Sequence, residues 1–266
     1  MSADATAPLA PLAVVTGAAR GIGRAVAERL HQEGYRLALL DREAGEVESL
    51  AATLSADGPV ARAYAPDMRV TAAVGDAFAA LARDLGTPDA LVNSAGIYPD
   101  VSAIDMREED WDVVLDVNLK GTFFACQAFA RLRRDAGGGG AIVNLASTAA
   151  FSARAGAVHY AASKGGVVML TKGLALEWRD LGIRVNAVAP GLIEVREGQV
   201  SGAYRQQFLT MIPSGRIGVP ADISGVVAFL LSPDAAFMNA ECVVVDGGFL
   251  AGRPLQRAGT PNPAAS

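Results

Sequence analysis

The sequence predicts a single doubly wound α/β domain, Rossmann-like, with a seven-stranded parallel sheet flanked by helices on both faces. Three observations predict it. Short β-rich runs alternate with helical stretches along the chain. Those runs are continuously apolar rather than alternating, as strands covered on both faces are. A glycine-rich turn lies between the first strand and the first helix.

Taken in order, Leu12-Ala13-Val14-Val15-Thr16 reads as a buried strand, followed by the glycine turn and a helix to about Gln32. Arg36-Leu37-Ala38-Leu39-Leu40 is the second strand, with helical sequence from Glu43. Residues 60 to 64 form the third and 90 to 92 the fourth. A long helical region is expected from about Trp111 to Arg134, broken by the glycine run 137 to 140. Ala141-Ile142-Val143-Asn144-Leu145 is the fifth strand. A helix carries Tyr160 and continues to about Arg179. Residues 183 to 188 make the sixth strand, and Cys242-Val243-Val244-Val245 the seventh. The domain is expected over residues 12 to 251. Residues 1 to 11 are expected to be a flexible N-terminus, and the Pro-, Ala- and Gly-rich tail 252 to 266 to be disordered.

Composition narrows the function classes. The 266 residues are 51% hydrophobic and 19% charged, enough for a sizeable core and wrong for a disordered chain. The net charge of -5, with no basic stripe, argues against nucleic acid as a partner. Cys126 and Cys242 are too few for a disulfide framework or a thiolate metal site, so no metal is expected. The N-terminus has no signal-peptide pattern, and no apolar run approaches the ~18 residues of a membrane span. A cytoplasmic protein is expected.

Thr16-Gly17-Ala18-Ala19-Arg20-Gly21-Ile22-Gly23 places glycines where backbone can approach a pyrophosphate and a helix N-terminus can stabilise its charge. Such turns also occur without a ligand. The second strand ends at Asp41, placed to accept hydrogen bonds from adenosine ribose hydroxyls and to repel a 2′-phosphate, which favours NAD over NADP. A loop-capping carboxylate is the plainer reading. Arg20 and Arg42 are placed to pair with such a phosphate, which argues the other way.

Tyr160-Ala161-Ala162-Ser163-Lys164 brings a phenol and an ammonium onto one helical face. A nearby cation favours the charged form of an acid, so Lys164 is expected to lower the Tyr160 pKa from about 10. A phenol tuned in this way exchanges a proton with an alcohol or ketone. An ordinary amphipathic helix would also contain this spacing.

With both motifs in hand, residues 12 to 249 resemble the short-chain dehydrogenase/reductase family. The matching signposts, in order, are the 16 to 23 turn, Asp67, Asn93-Ser94-Ala95-Gly96, Asn118, Ser147, Tyr160 with Lys164, Pro190-Gly191, and Asp246-Gly247-Gly248. The resemblance implies that Tyr160 is the catalytic acid/base and that Ser147 hydrogen-bonds the substrate oxygen. Lys164 would hold the nicotinamide ribose hydroxyls. Asn118 would help hold a relay water or kink its helix. Gly17, Arg20, Gly21, Ile22, Gly23, Asp41, Arg42, Asp67, Met68, Asn93, Ala95, Gly96, Pro190, Gly191, Ile193 and Val195 would surround the cofactor. Val195 departs from the family, which commonly has Thr there, so altered nicotinamide binding is expected.

Residues 194 to 213, with Glu194, Arg196, Glu197, Tyr204, Arg205 and Phe208, are expected to form a mobile lid. Ile97, Tyr98, Ala149, Phe151, Val158 and Tyr204 are candidates for a mainly apolar substrate pocket. The expected function is an NAD(H)-dependent oxidoreductase interconverting a secondary alcohol and a ketone. The alternative is an NADPH-dependent 3-oxoacyl thioester reductase, with Arg131, Arg133 and Arg134 as a basic patch for an acidic carrier protein. A non-catalytic dinucleotide-binding protein has no need of Ser147, Tyr160 and Lys164 together. A serine hydrolase is disfavoured because Ser147 is not in a G-x-S-x-G elbow. The resemblance also implies a homo-oligomer, with four subunits common, through the helices at 111 to 134 and 160 to 179.

Overall fold

The computed structural model describes residues 9–196, 198, 200 and 202–252. The expected tail from 253 onward, residues 1 to 8 and the lid residue Glu197 lie outside them. Seven parallel strands form one sheet in the order β3-β2-β1-β4-β5-β6-β7: β1 Leu12–Thr16, β2 Arg36–Leu40, β3 Ala61–Tyr64, β4 Ala90–Asn93, β5 Ala141–Leu145, β6 Arg184–Pro190 and β7 Cys242–Val245. The helices are α1 Gly21–Gln32, α2 Ala44–Ala56, α3 Thr71–Leu85, α4 Glu108–Leu115, α5 Gly121–Asp135, α6 Val158–Glu177, α7 Gly202–Leu209 and α8 Pro220–Leu231.

Each central strand divides its side chains between two cores, because successive residues point to opposite faces. From β1, Ala13 and Val15 join Val26 and Leu30 of α1, Val47 of α2 and Ile223 and Val227 of α8. Leu12 and Val14 join Val74 and Phe78 of α3, Phe129 of α5 and Leu174 of α6. Both faces are dry, so the strand sequence is apolar throughout. Ala10 and Pro11, expected to be flexible, are held against β2: Arg36 Nε donates to Ala10 O, and Arg36 N–H to Pro11 O.

The strand order reverses between β1 and β4, the place where ligands bind in open parallel sheets. Thr16 Oγ1 pins this junction by accepting from the N–H groups of Ser94 and Ala95 at 3.1 and 3.2 Å. The long helix expected at 111 to 134 is two helices joined by one π-helical turn, Asp116–Lys120. Asn118 sits in that turn. Its Oδ1 accepts from Ile97 N–H at 2.8 Å, and its Nδ2 donates to Ile97 O and Ser163 Oγ. The wider turn aims this amide at the loop after β4, a use typical of π-turns at functional sites.

Candidate active site

A cleft of about 860 Å³ opens at the carboxyl ends of β1, β4, β5 and β6. One end is the glycine turn. Gly17 has φ +67°, and a Cβ there would stand 2.7 Å from the Ala95 backbone. At Gly23 a Cβ would lie 2.1 Å from Gly17 O. The turn can therefore fold against β4 and α1 only with bare backbone. The N-terminus of α1 faces the cleft without a side-chain cap and without an acidic residue in its first turn. Its free N–H groups and dipole suit a pyrophosphate.

Asp41 closes β2 beside this turn. Its Oδ2 accepts from Ala19 N–H at 3.0 Å and its Oδ1 from Glu43 N–H at 3.1 Å, so the carboxylate is fixed on the cleft wall. Arg42 pairs with Glu43. Asp67 binds Arg69 through Nε and Nη2, and that pairing holds its carboxyl below the usual range. Arg20, Ile22, Met68, Ala95, Gly96, Pro190, Gly191, Ile193 and Val195 all lie on the wall as well. Asn93 does not. Its side chain is buried behind β4, where Nδ2 donates to Asn144 Oδ1 at 2.9 Å and to Cys126 Sγ. Parallel pairing of β4 with β5 sets Asn93 opposite Asn144, inside the protein.

At the other end Ser147, Tyr160 and Lys164 come together on the cleft wall. Ser147 ends β5, and its Oγ accepts from Ala149 N–H at 3.1 Å. The hydroxyl proton is thus free of that cap and can point toward Tyr160. Ser147 can therefore cap this turn and face the cleft in one geometry. Lys164 is buried on α6, its Nζ 5.9 Å from the Tyr160 ring centroid. Nζ donates to Leu145 O at 2.6 Å.

This corrects one expectation. Burial pushes the Tyr160 hydroxyl pKa up, against the pull of the Ser147 hydrogen bond. Burial also pulls the Lys164 ammonium down to about 8. The amine is turned to the Leu145 carbonyl, and desolvation outweighs its attraction for a phenolate. Asn118 lies behind the wall, near Gly96: a Cβ on that glycine would be 3.3 Å from Asn118 Oδ1 and 3.6 Å from Lys164 Nζ. Both Nδ2 hydrogens of Asn118 are already committed, which leaves its amide a positioning role.

The substrate side keeps much of the expected apolar lining but differs in its membership. Ile97, Tyr98, Ala149 and Tyr204 line the cleft, and the Tyr98 ring meets Tyr160 edge-on at 6.1 Å. Phe151 and Val158 are exposed and off the wall. Asp100, Ser152, Arg154 and Phe249 lie on the wall instead. Asp100, Ser152 and Arg154 sit in loops with no local motif, and Phe249 opens a short 3-10 turn. Only the nearby Asp246-Gly247-Gly248 turn gives a signal, for Phe249. In the lid, α7 lays Phe208 flat on Phe249 at 5.6 Å, and Arg205 clasps both oxygens of Glu194. Of the two histidines, His31 is half-buried with Nε2 3.0 Å from Pro59 O, and His159 is fully buried away from the cleft. Asn186 is structural, bonded to Met238 O and Glu241 N–H. Among the described residues no group of three or more His, Cys, Asp or Glu is placed to hold a metal, and no helix is long and apolar enough to cross a membrane.

A doubly wound sheet with an anion-ready turn and a Ser, Tyr and Lys cluster in one cleft defines a dinucleotide-dependent class of α/β protein. A family model described as enoyl-(acyl carrier protein) reductase matches residues 17–250. D-threitol dehydrogenase from Mycolicibacterium smegmatis is 42% identical, over 90% of this chain and 92% of that protein. A 3-oxoacyl-(acyl-carrier-protein) reductase from Staphylococcus aureus is 38% identical, over 89% and 96%. The crystal structure of a short-chain type dehydrogenase/reductase from Mycobacterium marinum superposes with a TM-score of 0.87 at 31% identity, covering 92% of this chain and 97% of that one. The chain belongs to the short-chain dehydrogenase/reductase family of oxidoreductases, which bind a nicotinamide dinucleotide.

Proposed function

We propose that this protein interconverts a small secondary alcohol and its ketone with NAD(H), and that Tyr160 is the acid/base. The observation that carries this reading is the convergence of Ser147, Tyr160 and Lys164 at one end of a cleft whose other end is the capless α1 N-terminus. When bound, the nicotinamide donates or accepts the hydride. Gly17, Gly21 and Gly23 with the α1 amides would hold the pyrophosphate, and Asp41 the adenosine ribose. Lys164 would hold the nicotinamide ribose. In reduction, Tyr160 gives its proton to the substrate oxygen, and in oxidation it takes that proton back. Ser147 donates a hydrogen bond to the same oxygen and stabilises its developing negative charge. Lys164, titrating near 8, is suited to pass a proton to Tyr160 near neutral pH.

Asp41 supports NAD over NADP, because a fixed carboxylate repels a 2′-phosphate. Arg42 and Arg69 are each matched by a carboxylate. The expected result is a kcat/KM at least tenfold higher with NADH than with NADPH. Tyr160→Phe should lose about 10²–10⁴-fold in kcat while the NADH dissociation constant stays within twofold. Retained turnover in Tyr160→Phe would end the acid/base assignment.

The second reading, a 3-oxoacyl thioester reductase, draws on the 38% identity to such an enzyme. Its basic patch is weakened here. Arg133 is spent on Gly138 O, Gly139 O and Asp89, and Arg134 pairs with Asp135.

The expected domain bounds, residues 12 to 251 with a lid at 194 to 213, belong to this reading, as does a cytoplasmic homo-oligomer of four subunits. Size-exclusion chromatography with light scattering tests the subunit number.

A further inference from the structure

The substrate end of the cleft carries an ion pair that its stabilising value does not explain. Arg154 Nη2 lies 2.5 Å from Asp100 Oδ1, joining the loop after β4 to the loop after β5. The side chains are 45% and 63% exposed, and pairs of that kind contribute little to stability. The two loops are already joined by Val101 N–H donating to Gly156 O at 2.9 Å. The pair nevertheless lies on the cleft wall, close enough to Tyr160 for the guanidinium to act on the phenol's ionisation.

We infer that Asp100 and Arg154 are specificity-determining residues that recognise adjacent hydroxyl groups of a neutral polyol, one carbon of which is the reacting alcohol. This inference rests on the alcohol/ketone reading above and names the substrate class within it.

Charge carries the first part of the argument. The cations on the cleft wall are Arg20, Arg42, Arg154 and Lys164 among the described residues. Arg20 and Arg42 stand at the glycine-turn end, and Lys164 is buried with its Nζ bonded to Leu145 O. Among the described wall residues this leaves Arg154 as the exposed cation at the substrate end, and Asp100 is paired with it. A carboxylate or phosphate on the substrate could reach the remaining Arg154 donors only by lying beside the Asp100 carboxylate, and the two anions would repel each other. A neutral substrate pays no such penalty.

Hydrogen-bonding capacity carries the second part. A hydroxyl both donates and accepts. Among the described residues, Asp100 leaves its second oxygen open as an acceptor, and Arg154 uses only part of its fork of donors. An acceptor and donors held side by side match two neighbouring hydroxyls, with Ser152 on the same wall as a further hydroxyl partner. A monohydroxy alcohol has nothing to satisfy this pair. An acyl chain would lie its methylenes against charge and leave the polar groups unmatched.

The test compares kcat/KM for a four-carbon tetrol with that for butan-2-ol, both with NAD, in the wild type, Asp100→Ala, Asp100→Asn and Arg154→Met. The wild type should favour the tetrol by at least 100-fold. Each variant should lower that ratio at least tenfold, chiefly through KM for the tetrol. Asp100→Asn retains an acceptor without the charge and should fall between the wild type and Asp100→Ala. A thermal melt within a few degrees of the wild type verifies folding, which the exposure of both side chains favours. A wild-type preference for butan-2-ol, or ratios within twofold of wild type in all three variants, overturns the inference and leaves the alcohol/ketone reading standing. Turnover of neither compound with NAD or NADP overturns both.

Discussion

At the glycine-turn end of the cleft, backbone lies on backbone. At the Tyr160 end, loop meets loop through exposed side chains. Gly17, Gly23 and Thr16 leave no room for variation, because each sits within contact distance of main chain from β4 or from the turn itself. Asp100, Arg154, Glu194 and Arg205 instead meet through flexible, partly solvated ends. Surface pairs are easily exchanged for other partners, whereas close backbone approach is not. The first end can serve one invariant ligand, and the second can be retuned from substrate to substrate without disturbing the fold.

The sharpest way to break that contrast is to add one methyl group at the rigid end. Gly17→Ala needs a left-handed φ of +67° and sets a Cβ 2.7 Å from Ala95 N and Cα, neither of which can swing away. Strain and overpacking together should cost about 3 kcal/mol or more. Urea unfolding should show the loss as a lower midpoint, with NADH binding weakened in parallel. A loss under about 1 kcal/mol would mean that the β1–β4 junction gives more than its geometry suggests.

Lys164 is the buried charge of the Tyr160 end, and its burial costs stability. Its pKa is about 8 in the folded chain against 10.5 in the open, from burial alone. The native state therefore resists carrying the charge. The cost is complete below pH 8, where both states are protonated, and disappears as pH rises toward 10.5. Lys164→Met removes the charge and loses the hydrogen bond to Leu145 O, worth about 1 kcal/mol. The net gain in unfolding free energy at pH 7 should be about 2 kcal/mol, while turnover collapses. The advantage should shrink between pH 8 and pH 10. A variant less stable than the wild type at pH 7, or an advantage independent of pH, contradicts this account.

The same contrast governs what could be read from the sequence. β5 and β7 run over the expected residues, and α1 ends at the expected Gln32, since apolar runs and turn glycines are local signals. β6 extends to Pro190 because that residue pairs with Val245 of β7, a partner far along the chain. The helices α3 and α8 carry no motif in the sequence. Ser147, Tyr160 and Lys164 could be named because one helix and one strand end position them. Asp100 and Arg154 could not, because two irregular loops bring them together. Asn93 shows the reverse: its motif points to a place around the cofactor, and the inward face of β4 buries its side chain.

Val195 tests whether even the tight end tolerates retuning at its rim. It stands where the family commonly has Thr, and a Cβ on Gly21 would be 3.3 Å from its Cγ1, so its methyl leans over the phosphate turn. Val195→Thr is close in volume and replaces that methyl or its twin with a hydroxyl. At the rim the hydroxyl can reach water or a cofactor amide, so folding stability should change by less than about 0.5 kcal/mol. A hydrogen bond gained to the nicotinamide carboxamide should tighten NAD binding by about two- to tenfold, the net worth of one such bond. Isothermal titration against both proteins resolves that range. Identical dissociation constants and turnover would mean that the carboxamide finds its partners elsewhere, and that Val195 serves only to cover Gly21.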